Sequence, residues 1–152
     1  MNNKNEQLLA YLVSKHTNCT ITSLMKLSYL VDLFNIKESG KKISSYEYIR
    51  FHYGPFCKII SQDIDKLIEE GVIEPKMEYD PAFGNEYIVY NLKEDMGTSE
   101  LTKNEIENIN VLLDKFRGYG AKALTLVAYK TDPMKDLGAT LGGNEGMRRK
   151  LI

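Results

Sequence analysis

Tryptophan is absent from the chain, histidine and cysteine occur only twice each, and proline four times in 152 residues. Each scarcity excludes something. Two cysteines, Cys19 and Cys57, lie 38 positions apart without a C-x-x-C spacing, which argues for free buried thiols and a reducing, cytoplasmic setting over a disulfide framework. His16 and His52 stand outside any G-x-S-x-G or comparable context, so nucleophilic hydrolysis has no signature and the two histidines read as surface or loop residues. Gly142 to Gly146 lacks the spacing of a phosphate cradle and follows no strand. No run approaches the roughly 20 apolar residues of a membrane span, and the polar start from Met1 to Gln7 has no signal-peptide core behind it. Excess charge of one sign is missing too. Twenty Lys and Arg against 21 Asp and Glu leave a net charge of -1, so any pull on phosphates must come from a local patch.

What is present is a globular composition, 43% hydrophobic and 27% charged, at a length that fits one core without a metal or disulfide staple. Leu8, Leu9, Leu12 and Val13 recur at helical spacing and predict a short first helix. Thr22 or Ser23 is a candidate cap for a second, apolar on most sides through Leu24, Leu27, Val31 and Phe34 and through Met25, Tyr29, Leu33 and Ile36. Such a helix belongs at the centre of its domain, ended by Ser39-Gly40, and Lys26 is the misfit on it. An extended segment from Ile43 to Tyr53 is expected to stop at Gly54-Pro55. Pro55 then opens a third helix that runs to Gly71.

Two β-prone runs around Gly84-Asn85 follow, which together with the helix before them give the outline of a winged helix. Ser99 or Thr102 caps a fourth helix carrying Ile106, Ile109, Leu112, Leu113 and Phe116 inward, Ala121 to Tyr129 forms a fifth, and Asp132-Pro133 opens a final turn or helix. The expected fold is α+β, a helix-rich single domain over residues 1–137 with a winged-helix-like β-hairpin after the third helix. Residues 138–152 form a flexible or loosely packed tail.

His16-x-x-Cys19 and His52-x4-Cys57 together supply the ligand types of a structural zinc site, but at irregular spacing, and Cys57 beside an apolar stripe reads better as a small hydrophobe; no metal and no cofactor is expected. A winged helix presents its pre-wing helix to DNA, yet here Lys58 and Lys66 face Asp63, Asp65, Glu69 and Glu70, a net of -2, and the wing adds Glu78 and Asp80. Lys41, Lys42 and Arg50 remain for a minor contact with nucleic acid. The ten tyrosines, among them Tyr46, Tyr48, Tyr53, Tyr79, Tyr87 and Tyr90 around the extended segments, combine apolar area with a polar tip and favour a protein partner.

The run Leu24-Met25-Lys26-Leu27-Ser28-Tyr29-Leu30-Val31-Asp32-Leu33, followed by His52-Tyr53-Gly54-Pro55 and the dyad Val72-Ile73, resembles the Panacea (SocA-like) domain of bacterial and phage toxin–antitoxin systems over residues 20 to 92. Further on, where that family often carries a His and a Trp, this chain has Tyr129 and Thr131 to Met134. The resemblance implies a non-catalytic antitoxin that neutralises a toxin encoded nearby by direct binding. A protease is a second partner if the domain works as a delivery adaptor, and homo-oligomerisation stays open. A winged-helix DNA-binding transcriptional regulator is the alternative. The motif residues Lys26, Tyr29, Asp32, Tyr53, Gly54 and Pro55 are the candidate site, with the Lys26 ammonium expected to hold the Tyr53-Gly54-Pro55 turn or an acid such as Glu47.

Overall fold

A computed structural model describes residues 3–152. Among the described residues six helices and two small antiparallel hairpins follow one another as α1 (Lys4–Lys15), α2 (Ile21–Ser39), β1 (Ile49–Phe51), β2 (Gly54–Phe56), α3 (Lys58–Glu69), β3 (Ile73–Asp80), β4 (Asn85–Leu92), α4 (Lys103–Lys115), α5 (Ala121–Tyr129) and α6 (Asp132–Asp136). The mixed α+β class expected from the sequence is the one observed.

Helix α2 is the hub. Its apolar residues on nearly every side leave it nowhere to face water, so α1, α4, α5, β2 and β4 all pack around it, and Leu24, Leu27, Tyr29 and Val31 are buried. Removing a side chain such as Leu27 would leave a cavity and cost about 2–5 kcal/mol. The helix starts two or three residues earlier than the expected caps: Thr20 is the N-cap and accepts from the Ser23 backbone N–H, while the Ser23 hydroxyl accepts from the Thr20 backbone N–H. Gly40 ends it in the left-handed conformation, φ 81°. Helix α4 is closed by the same device, Thr102 with Glu105.

The third helix begins later than expected. Pro55 stands not in its first turn but in β2, paired with Arg50, and Cys57 is the N-cap residue of α3. A proline has no N–H to give a ladder and is tolerated in so short a two-stranded edge, so its local helix-start signal yields to the hairpin that turns at His52-Tyr53. The hairpin β3–β4 is long and in register from Ile73 opposite Leu92 to Asp80 opposite Asn85. It is fastened to the body at Tyr90, whose N–H donates to the Cys19 carbonyl at 2.8 Å.

Two further expectations change. His16, read as a surface or loop histidine, is buried at the end of α1, with Nε2 2.7 Å from the Tyr119 carbonyl oxygen, whereas His52 is exposed. Residues 138–152, expected to hang loosely, return to β1: Arg50 N–H donates to the Arg149 carbonyl, Arg148 N–H to the Arg50 carbonyl and Leu151 N–H to the Tyr48 carbonyl, at 2.8, 2.6 and 2.9 Å. This segment satisfies the free edge of β1, a role the local sequence does not advertise.

Candidate functional site

The motif of α2 splits into three contacts, each reaching a different later segment. Asp32, fully buried, accepts at Oδ1 from the backbone N–H groups of Ile43 and Ser44, both at 2.9 Å, and at Oδ2 from the Tyr48 hydroxyl at 2.8 Å and from the Ser44 hydroxyl. The Tyr48 hydroxyl, having donated to Asp32, accepts from Ser28 at 2.6 Å. Burial and the neighbouring carboxylate hold the Tyr48 pKa well above its usual value. A carboxylate with four donors is a structural knot that pins the 43–48 loop to α2.

Tyr29 lies edge-on to Tyr48, ring centroids 5.5 Å apart, and its hydroxyl donates to Thr131 Oγ1 at 2.7 Å, Thr131 donating onward to the Ala128 carbonyl. This fixes the junction of α5 and α6 against the central helix. Desolvation raises the Tyr29 pKa to about 12.

Lys26 is the third. It is only 4% exposed, and its Nζ donates to the Pro55 carbonyl at 2.9 Å. Of the two holds considered from the sequence, the ammonium takes the turn. Glu47 instead meets Lys150 at 3.2 Å on the surface. Gly54 has φ 101°, and a Cβ placed on it would come within 3.3 Å of the Tyr129 ring and 3.7 Å of Lys26 Cε. A side chain there is opposed both by backbone conformation and by space. Tyr53 next to it is 71% exposed and takes no part in the buried cluster. Lys26, Gly54 and Pro55 are thus brought together, Tyr29 and Asp32 act through other partners, and Tyr53 faces solvent.

Two residues of this corner escaped the sequence reading. Arg50, counted there as a surface cation for nucleic acid, is fully buried; its guanidinium donates to the carbonyls of Phe51, Thr140 and Gly143, the last two at 2.9 and 2.8 Å, and stacks 5.3 Å from the Tyr129 ring centroid. The even positions Tyr46, Tyr48 and Arg50 share a parity, and the first two are apolar in body and inward; a strict period-two reading would have turned Arg50 inward too. Tyr129 is the other: its ring closes over both Gly54 and Arg50.

Around Lys26 the surface is concave. A groove of about 270 Å³ is lined by Lys26, Ile21, Met25, Phe51, His52 and Phe56 among others, and a wider one of about 830 Å³ lies between the first turn of α2 and the β3–β4 hairpin, where Met77, Ile88 and Tyr90 form its wall. Both include Ile21 and Thr22, so they meet at the start of α2. Met77 and Ile88 are cross-strand partners. His52 and Ser61 both line the smaller groove, but no hydrogen bond joins them as nucleophile and base, and among the described residues no three His, Cys, Asp or Glu side chains converge as metal ligands.

The α2 motif is thus joined through Lys26 to the Gly54-Pro55 corner, and the pattern of the family described as "Antitoxin SocA-like, Panacea domain" matches residues 24–133, from α2 to α6. The chain belongs to that family. Membership in the Panacea family points to an antitoxin role and, in general, to proteins that bind and do not catalyse. No curated protein and no solved structure matches the chain. Among the described residues of this Panacea domain no helix is long and apolar enough to cross a membrane.

Proposed function

We propose that this Panacea domain neutralises a cognate toxin encoded beside it by direct protein–protein binding in the cytoplasm, through the face that carries the two joined grooves. The observation behind this reading is the exposed apolar area in and beside them: of the residues lining the grooves Tyr53 is 71%, Met77 56% and Ile88 45% exposed, and on the same β3–β4 hairpin Tyr79 is 60% and Phe83 84% exposed, a concentration of large apolar and aromatic side chains that a free surface does not need. Apolar and aromatic anchors beside concave pockets are what protein interfaces use for most of their binding energy. Delivery of the bound toxin to a protease is compatible with the same face and adds a second partner elsewhere.

The winged-helix regulator reading is weakened by the charge. Asp65, Glu69 and Glu70 are exposed on or next to α3, and Arg50, which would have offered a cation, is buried. Carboxylates at that helix would meet phosphates.

The test is co-expression with the neighbouring toxic open reading frame. The wild-type domain is expected to rescue growth and to co-purify with the toxin, while the double substitution Phe83→Asp and Ile88→Asp, both on exposed positions, abolishes both without lowering the melting temperature. Rescue by the double variant would overturn the assignment of this face. A toxin that survives alone but disappears when the domain is added to protease-proficient cells separates delivery from masking.

A further inference from the structure

Lys26 carries a positive charge into the protein without a negative one to meet it. Among the described residues it forms no ion pair, although ammonium–carboxylate pairs are made at Lys4 with Glu105 and Lys66 with Glu6, both at 2.7 Å. Its one hydrogen bond, to the Pro55 carbonyl, occupies one of the three N–H donors of an ammonium. The groove of about 270 Å³ that Lys26 lines contains His52 and no Asp or Glu, and Ile21, Met25, Phe51 and Phe56 make it mostly apolar, with Thr22 and Ser61 as its neutral polar residues. The first turn of α2, whose Ile21 and Thr22 line this groove and the wider one beside it, has no acidic residue either, so the positive end of a 19-residue helix lies next to it. Two independent sources of positive potential therefore converge in an apolar cleft.

Resting on the reading of this face as protein-binding, we propose that the groove takes an acidic side chain, Asp or Glu flanked by apolar residues, from the bound protein partner, whose carboxylate pairs with the Lys26 ammonium. Nucleic acid fits less well: the walls are apolar, and the adjoining groove is edged by Asp80 and Glu86, which would repel a phosphate backbone. An acidic residue between apolar neighbours matches both the charge and the walls. It also removes a penalty already present in the free domain, because burial alone lowers the Lys26 pKa to about 8, and an ammonium that costs energy to keep charged gains most from a desolvated carboxylate.

The experiment is a pH titration of the whole domain carrying ¹³C-labelled lysine ε-carbons and methionine methyls, with Lys26→Gln assigning the Lys26 signal. Four probes are added at millimolar concentration: N-acetyl-Leu-Glu-Leu amide, the same peptide with Gln in place of Glu, N-acetyl-Leu-Leu with a free carboxyl terminus, and inorganic phosphate. The Glu peptide is expected to move the Met25 methyl signal and to raise the midpoint of the Lys26 titration by about one pH unit, a tenfold linkage; the other three leave the midpoint in place. Equal binding of the Gln peptide would make the groove merely apolar. A response to the free carboxyl terminus alone, or to phosphate, would identify a different anion, and each of these outcomes overturns the proposal, as does the absence of any shift.

In cells, Lys26→Gln, which retains an N–H for the Pro55 carbonyl, should weaken toxin co-purification at least tenfold while the variant remains folded by circular dichroism. Full rescue by a folded Lys26→Gln variant defeats the groove proposal and leaves the toxin reading standing. Failure of the wild type to bind the neighbouring toxin defeats that reading, while the peptide titration still decides the groove.

Discussion

Lys26 and Asp32 sit six residues apart on one helix, both buried, both charged, and both part of one motif, yet they are treated in opposite ways. The Asp32 carboxylate is met by four donors, two of them backbone N–H groups. The Lys26 ammonium is met by one carbonyl, and the residue is among those that line a groove. A buried charge that is fully solvated by the protein is finished structure. One that is not carries an unpaid desolvation cost that a partner can relieve. The contrast separates the part of the α2 motif that builds the domain from the part available to recognise something.

Breaking the Asp32 end should have the largest effect. Asp32→Ala leaves the Ser44 and Tyr48 hydroxyls and two buried N–H groups without their acceptor, which is expected to cost about 3–5 kcal/mol of stability. The loop from Ile43 to Tyr48 would detach from α2 and take the Tyr46 hydroxyl off Asp63, its 2.6 Å partner on α3. Urea unfolding reads this as a fall in midpoint. A loss below about 1 kcal/mol would mean the four-donor knot is not the structural anchor claimed for it.

The corner held by Lys26 is sharpened by Gly54. Gly54→Val meets the Tyr129 ring and a positive φ together and should cost about 2–3 kcal/mol. Gly40→Ala is the control: Gly40 also has a positive φ, 81°, but nothing lies within 4 Å of the added Cβ, so only the conformational cost of about 1 kcal/mol applies. The difference between the two, measured by thermal or urea unfolding, isolates the contact with Tyr129. Combining Gly54→Ala with Tyr129→Leu should recover part of it, and equal losses at Gly40 and Gly54 under matched Ala substitutions would remove Tyr129 from the corner.

How much of this was readable in the sequence depended on how local the cause was. The central helix, its Gly40 stop, α4 with its Thr102–Glu105 cap and α5 follow from periodicity and capping within a few residues, and the helix-then-hairpin order of α3, β3 and β4 follows from turn chemistry. The β1–β2 hairpin did not, because Gly54-Pro55 satisfies the rules for a helix start equally well, and only pairing with Arg50 decides otherwise. Arg50 and the C-terminal segment were misjudged for one shared reason. The carbonyls that hold the guanidinium, Thr140 and Gly143, lie some 90 residues away, and no pattern around Arg50 points to them. The hold of Lys26 on the turn was within reach, since a lysine on an apolar helix must find a partner and the turn is the next polar backbone in the motif. That it would stay without a carboxylate was visible only in three dimensions.

The last test reaches that missing carboxylate through pH, with an effect below that of breaking Asp32. Burial lowers the Lys26 pKa from 10.5 to about 8, so between those values the unfolded chain binds a proton at this position that the folded domain does not. Stability attributable to Lys26 therefore rises with pH across this window and is lost as pH falls through 8, opposite to a lysine held by an acid. Cys19, whose thiol is pushed up to about 12 by burial, and Tyr29, also at about 12, pull the other way as the unfolded chain ionises first. Subtracting a Lys26→Met variant, which keeps both groups, removes their contribution. The stability of the wild type relative to Lys26→Met should increase by about 2 kcal/mol between pH 7.5 and 9.5, from the 1.36 kcal/mol carried by each pKa unit. A flat difference would show that the ammonium is already compensated in the free domain, and the contrast with Asp32 would collapse. A difference that flattens only when the acidic peptide is bound would show the same lysine passing from uncompensated to paired.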